Sequence, residues 1–185
     1  MPAPLITDLD EMRRLADARY DEFQAMAEAL EFDESLTDDA LDALVESLAA
    51  PIAAAIDCTQ CANCCRSLDV CLIPPDIDRL STALVIPIED VITRYADEAA
   101  GAAQGEWALL PAHPCPFLKG NLCSIYQHRP NACRIYPQFT PDIRYNLEDT
   151  IEGAFFCPII YNTLSALAER VSFDRDHDED DEGER

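Results

Sequence analysis

Asp57-Cys58-Thr59-Gln60-Cys61-Ala62-Asn63-Cys64-Cys65-Arg66 is the stretch on which the reading of this chain turns. Four of its cysteines fall within eight residues. A Cys-x-x-Cys pair brings two sulfurs to one ion across a tight turn, and a third cysteine at the same step adds another donor from the same loop. Four more follow at wider intervals, at Cys115, Cys123, Cys133 and Cys157. The total is nine, an odd number, so no complete set of disulfides can use them all. The opening segment Met1-Pro2-Ala3-Pro4 turns acidic at Asp8 and Asp10 and lacks the basic region and apolar stretch of a secretory signal. The expected compartment is the cytoplasm, where clustered cysteines serve metal or redox chemistry rather than disulfides.

On the N-terminal side, Leu9, Met12, Ala16, Tyr20, Phe23, Ala27 and Leu30 recur at steps of three and four with acidic residues between them, which predicts an amphipathic helix over residues 8–32. Thr37 is placed to cap a second helix, with Asp38 and Asp39 at the positive end of its dipole, and Pro51 should end or kink it. The pair is expected to form an antiparallel hairpin. On the C-terminal side, residues 70–73 suggest a short strand and Pro74-Pro75-Asp76 the start of a helix through Leu84. Pro87-Ile88-Glu89-Asp90 starts another helix that stops near Gly101. Residues 107–110 are strand-like, and 115–126 suggest a hairpin turning at Lys119-Gly120-Asn121. Pro130 begins a short helix carrying Cys133, and a last helix over 158–171 buries Ile159, Leu164 and Leu167.

These pieces together resemble a known family. The run from Cys58 to Cys65, then Pro75-Asp76-Ile77-Asp78-Arg79-Leu80, Cys115-Pro116-Phe117-Leu118, Gly120-Asn121-Leu122-Cys123-Ser124-Ile125-Tyr126, Arg129-Pro130, Cys133-Arg134-Ile135-Tyr136-Pro137 and Cys157-Pro158, is similar to the zinc- or iron-chelating CxxCxxCC family, also called the YkgJ-type cysteine cluster proteins. The resemblance covers about residues 57–160. It implies eight candidate metal ligands: Cys58, Cys61, Cys64, Cys65, Cys115, Cys123, Cys133 and Cys157. Relatives often carry a glycine after the last Cys-Pro, where this chain reads Ile159. Some relatives are associated with flagellin lysine N-methylation, which implies an iron–sulfur redox or accessory role in protein modification as the alternative function.

The spacing leaves the metal open. Cys58, Cys61 and Cys64 with a remote Cys157-Pro158 look like the three-plus-one arrangement of a [4Fe–4S] cluster, which leaves Cys65, Cys115, Cys123 and Cys133 for a four-thiolate zinc site. A single site using some of the eight is equally permitted, since soft thiolates favour zinc and iron–sulfur alike. Cys71, between Val70 and Leu72, reads as a small buried hydrophobe rather than a ligand. His113 and His128 read as loop residues, and Tyr126 and Tyr136 as core aromatics beside the site. Arg66, Arg129 and Arg134 are placed to offset the negative charge of a thiolate centre.

Composition narrows the function further. Thirty-six acidic residues against 13 basic ones give a net charge of −23, and Lys119 is the only lysine. Such an excess repels nucleic acid and anionic membrane surfaces. It is the balance of a protein from a high-salt cytoplasm, because residues 174–185, with eight acids and two arginines, account for only part of it. The longest apolar run, 48–56, is far short of the ~20 residues a spanning helix needs. No Gly-x-Gly-x-x-Gly loop, P-loop or Gly-x-Ser-x-Gly elbow occurs, and no thioredoxin-like pattern surrounds the Cys-x-x-Cys pairs. The expected fold is mainly α with minor β. A small metal-stapled domain over 57–172 follows an N-terminal helical hairpin over 1–56, with a disordered acidic tail over 173–185. The expected function is chelation of zinc or an iron–sulfur cluster, with the metal ion as partner and neither nucleic acid nor membrane.

Overall fold

A computed structural model of the chain describes residues 4–182, with side chains as far as Val171. It is mainly α-helical, with β structure confined to two small two-stranded sheets. The chain divides into two compact units, residues 1–57 with 137–185, and residues 58–136.

In the first unit the long helix Pro158–Glu182 is the hub. Helices Leu9–Ala18, Tyr20–Glu31, Asp38–Ala55 and Leu147–Gly153 all pack against it. Their inward positions are those the apolar spacing picks out: Met12, Phe23, Leu30, Leu41 and Val45 are buried, as are Leu164 and Leu167 on the hub. The ring of Phe23 meets Tyr161 edge-on at 6.3 Å. The expected single helix over 8–32 is two helices, interrupted at Arg19. Its guanidinium forks onto Glu22 at 2.8 and 2.6 Å, donates to Ser165 Oγ at 2.7 Å and lies over the Phe23 ring.

Thr37 caps the third helix as expected, its hydroxyl accepting the Ala40 N–H at 3.3 Å. Pro51 does not end that helix, which continues to Ala55. It falls on the side where Ser47 and Ala50 are exposed, so the hydrogen bond that proline cannot donate is lost at the solvent face. The segment between the second and third helices is held by Arg144. This buried guanidinium reaches the Asp38 carboxylate at 2.5 Å and the carbonyls of Leu30 and Leu36. Arg144 belongs to a short 3₁₀ turn, Ile143–Asn146, that leads into Leu147–Gly153. The last helix starts at Pro158 as expected, and its backbone runs past Val171. The acidic tail expected over 173–185 lies outside the residues whose side chains are described.

The second unit is built on the antiparallel pair Val70–Leu72 and Ala108–Leu110, with Val70 opposite Leu110 and Leu72 opposite Ala108. Val70, Leu72, Ala108 and Leu110 form one core with Ile77, Leu80, Val91, Phe117 and Ile125. Pro74–Leu84 is helical as expected. The helix expected from Pro87 to about Gly101 is broken into Ile88–Tyr95 and Glu98–Ala103. Asp97 is the cause: it bridges Leu109 through both backbone groups, and its carboxylate caps the second piece at the Ala100 N–H, 2.8 Å away. Gly101 follows from this packing, since a Cβ there would lie 2.5 Å from Ala108 Cα. Leu118–Lys119 and Leu122–Cys123 form the expected hairpin, turning through Gly120 at φ +63°.

Candidate metal centre

The cysteine loop consists of two single helical turns, Cys58–Cys61 and Cys64–Ser67. They are separated at Ala62, whose φ of 50° is the left-handed conformation and prevents one continuous helix. Cys58 is exposed, while Cys61, Cys64 and Cys65 are half-buried. Arg66 ties this loop to the hairpin. Its Nη1 donates to the Cys61 carbonyl at 2.8 Å, and its Nη2 to the Gly120 carbonyl at 3.1 Å and to Asn121 Oδ1. Asn121 completes the link by donating to the Gln60 carbonyl at 3.1 Å. A backbone bond from the Cys115 N–H to the Cys65 carbonyl, 2.8 Å, brings in a third segment.

Cys115, Cys123 and Cys133 pack against the core of the second unit. Cys123 is on the second hairpin strand and Cys133 on the helix Asn131–Ile135, as the sequence predicts. Burial pushes the thiols of Cys115 and Cys123 above the ordinary cysteine range and that of Cys133 up to about 12. Their mutual charge acts in the same direction: Cys133 is raised further by Cys65, Cys115 and Cys123, Cys115 by Cys65 and Cys123, and Cys123 by Cys65. Cys65 is raised chiefly by its side-chain hydrogen bond with Cys64, then by burial. Arg129 opposes these shifts at Cys65, Cys123 and Cys133, and Arg66 does so at Cys65. The charge of Cys65 thus reaches Cys115, Cys123 and Cys133, while Cys65 itself responds to its neighbour Cys64.

Residues 57–158, more than half of the chain, match the family described as "CxxCxxCC: Putative zinc- or iron-chelating domain". The chain belongs to the CxxCxxCC family. No curated protein and no solved structure matches it.

The matched CxxCxxCC span takes in all eight candidate cysteines, but they divide between the two units. Cys58, Cys61, Cys64, Cys65, Cys115, Cys123 and Cys133 belong to the second unit and Cys157 to the first. Cys157 is buried just before the last helix, its N–H donating to the Gly153 carbonyl at 2.9 Å. Among the described residues, no three His, Cys, Asp or Glu side chains are gathered as they stand around an ion. The fit of a metal to the CxxCxxCC domain is therefore decided by donor chemistry and surrounding charge. The coupled donors are all sulfur, which suits a soft ion. Beside them the Arg129 Nε–H is buried with no hydrogen-bond acceptor, while its guanidinium lies 4.0 Å over the Tyr126 ring. A buried cationic donor left open next to neutral thiols is costly, and an anionic thiolate centre offsets that cost. On both counts the residues fit a thiolate-bound metal.

Other expectations need correction. Tyr126 is not a core aromatic but is 53% exposed, because its ring carries Arg129 on one face. Cys71 is half-buried rather than buried, since strand alternation sends Val70 and Leu72 to the core and Cys71 to the other face. His113 pairs with Asp69 at 2.7 Å, and His128 lies on the 3₁₀ turn Tyr126–His128. Arg66 and Arg134 spend their hydrogen bonds on the backbone carbonyls and the Asn121 side chain around the cysteine segments, Arg134 donating to the carbonyls of Arg129 and Gln127. Asn121, read from the sequence as a residue of the turn and of the family motif but not as a link, joins the hairpin to the cysteine loop. Its place beside Gly120 in the turn was the available signal.

Proposed function

We propose that the chain is a metal-chelating protein whose centre is formed by Cys65, Cys115, Cys123 and Cys133, holding zinc or iron as thiolates. The observation that carries this reading is the packing of Cys115, Cys123 and Cys133 on one core, with the Cys115 N–H bonded to the Cys65 carbonyl at 2.8 Å and the buried Arg129 Nε–H without an acceptor; the upward shift of all four thiols agrees with it. Crowded thiols out of water resist ionising one by one, and a bound cation is what allows them to ionise together. Cys58, Cys61 and Cys64, on the adjoining loop of the same unit, are further thiolate donors for a second ion or for an iron–sulfur cluster. Cys157 is the eighth candidate.

The centre is structural in this reading. The four ligands come from short segments that have little regular structure of their own, so metal binding is coupled to the ordering of the unit. The test is alkylation of the reduced protein with and without zinc, with modified cysteines located by mass spectrometry. Zinc should protect Cys65, Cys115, Cys123 and Cys133 as a set, while Cys71 keeps its rate. Equal labelling of those four in the presence and absence of metal would overturn the reading.

A further inference from the structure

Asp76 is fully buried and is not a candidate ligand. Its Oδ2 accepts the Ile73 N–H at 3.0 Å, just after the strand Val70–Leu72. Its Oδ1 accepts from Arg79 Nε and Nη2 at 3.2 and 2.5 Å, and from the Asn131 N–H at 2.8 Å. A carboxylate without water needs its lone pairs filled in this way. Three of these donors lie within three residues of Asp76. The fourth is 55 residues away, at the first residue of the helix Asn131–Ile135 that carries Cys133.

A helix of five residues is far too short to hold itself together, and its first N–H has no acceptor within the helix. Asp76 satisfies that N–H and ties the helix start to the core strand and to Pro74–Leu84. At the other end Arg134 reaches back to the carbonyls of Arg129 and Gln127. Cys133 lies between these two ties. We propose that Asp76 is a positioning residue for the metal centre: by holding the Asn131 N–H it fixes the short helix that presents Cys133 to the other three thiols. This rests on the reading of those four cysteines as one centre. With the helix already placed, the metal does not have to order it on binding, and that ordering cost is spared.

The test breaks the tie between Asp76 and the helix start. Proline is suited to the first position of a helix, and Pro130 already has the extended backbone, φ −52° and ψ 156°, that the residue before a proline prefers. Asn131→Pro therefore deletes the N–H and sets the ring Cδ in its place against Asp76 Oδ1, so the bond to the helix start is broken and the carboxylate has to turn away from it. Zinc affinity, by competition with a chromophoric chelator, and the visible spectrum of the cobalt(II)-loaded full chain are measured for wild type, N131P, N131A and C133S. The expected result is a loss of affinity of about tenfold or more and an altered cobalt spectrum in N131P, with N131A, which keeps the N–H, matching wild type. Wild-type affinity and spectrum in N131P, alongside a loss in C133S, would overturn the role of Asp76 and leave the centre standing. An equal loss in N131P and N131A would also overturn it, by assigning the effect to the side chain. Wild-type binding in C133S would remove the centre and the inference together. Amide exchange of the metal-free wild-type chain tests the point even if N131P does not fold: the Asn131 N–H should be protected, and free exchange there would contradict the proposal.

Discussion

At the scale of single residues, charge decides the site. Cys115, Cys123 and Cys133 are disfavoured as anions by burial and by the charge of Cys65, and Cys65 by its hydrogen bond with Cys64 and by burial, while Arg129 favours ionisation at Cys65, Cys123 and Cys133. Replacing it with an uncharged side chain should weaken the proposed centre without touching any of its proposed ligands. For R129Q we expect zinc affinity to fall by about tenfold, a typical loss when a group supporting a ligand is removed. Chelator competition measures this, and R129K should recover part of the loss because it restores the charge but not the planar fork. Residue identity was enough to nominate the cysteines and Arg129, since sulfur donors and compensating guanidiniums are chosen by chemistry alone. It did not reveal which thiols are coupled, because that depends on where Cys115, Cys123 and Cys133 meet the core. Nor did it show that Tyr126 lies outside, with its ring under Arg129.

At the scale of elements, local signals succeeded where one interaction dominates and failed where a distant partner intervenes. Thr37, Pro74 and Pro130 mark helix starts that occur where capping and proline chemistry place them. Apolar periodicity ran straight through Arg19 and Asp97, where the helices break. Arg19 is held by Glu22 and Ser165, and Asp97 by a bridge to Leu109, contacts that periodicity cannot register. The turn Ile143–Asn146 and helix Leu147–Gly153 have no place in the sequence reading at all, because seven residues are too few for a clear period. The close approach of Glu98–Ala103 to the strand Ala108–Leu110 yields a sharp prediction. G101A puts a methyl group against Ala108 backbone and should cost about 1–3 kcal/mol in a urea unfolding experiment, as overpacking does.

At the scale of the whole molecule, a net charge of −23 opposes compaction, and salt relieves that opposition by screening. The melting midpoint followed by circular dichroism should rise from millimolar to molar salt, and an unchanged midpoint would end the high-salt interpretation. Among the described residues no helix is long and apolar enough to cross a membrane. A contiguous division at residue 57 does not anticipate the return of the chain at Pro137 to the helices of the first unit. That return depends on contacts of the last helix with segments more than a hundred residues earlier, such as the Arg19 to Ser165 bond. The central claim remains chelation by the coupled thiols, and metal content tests it most directly. Zinc, iron and acid-labile sulfide should be determined per chain on protein purified anaerobically from cells given both metals, for wild type and for the variant with Cys65, Cys115, Cys123 and Cys133 all changed to serine. The account predicts bound metal in the wild type and its loss from the variant. Equal metal in both proteins, or none in the wild type, would contradict it.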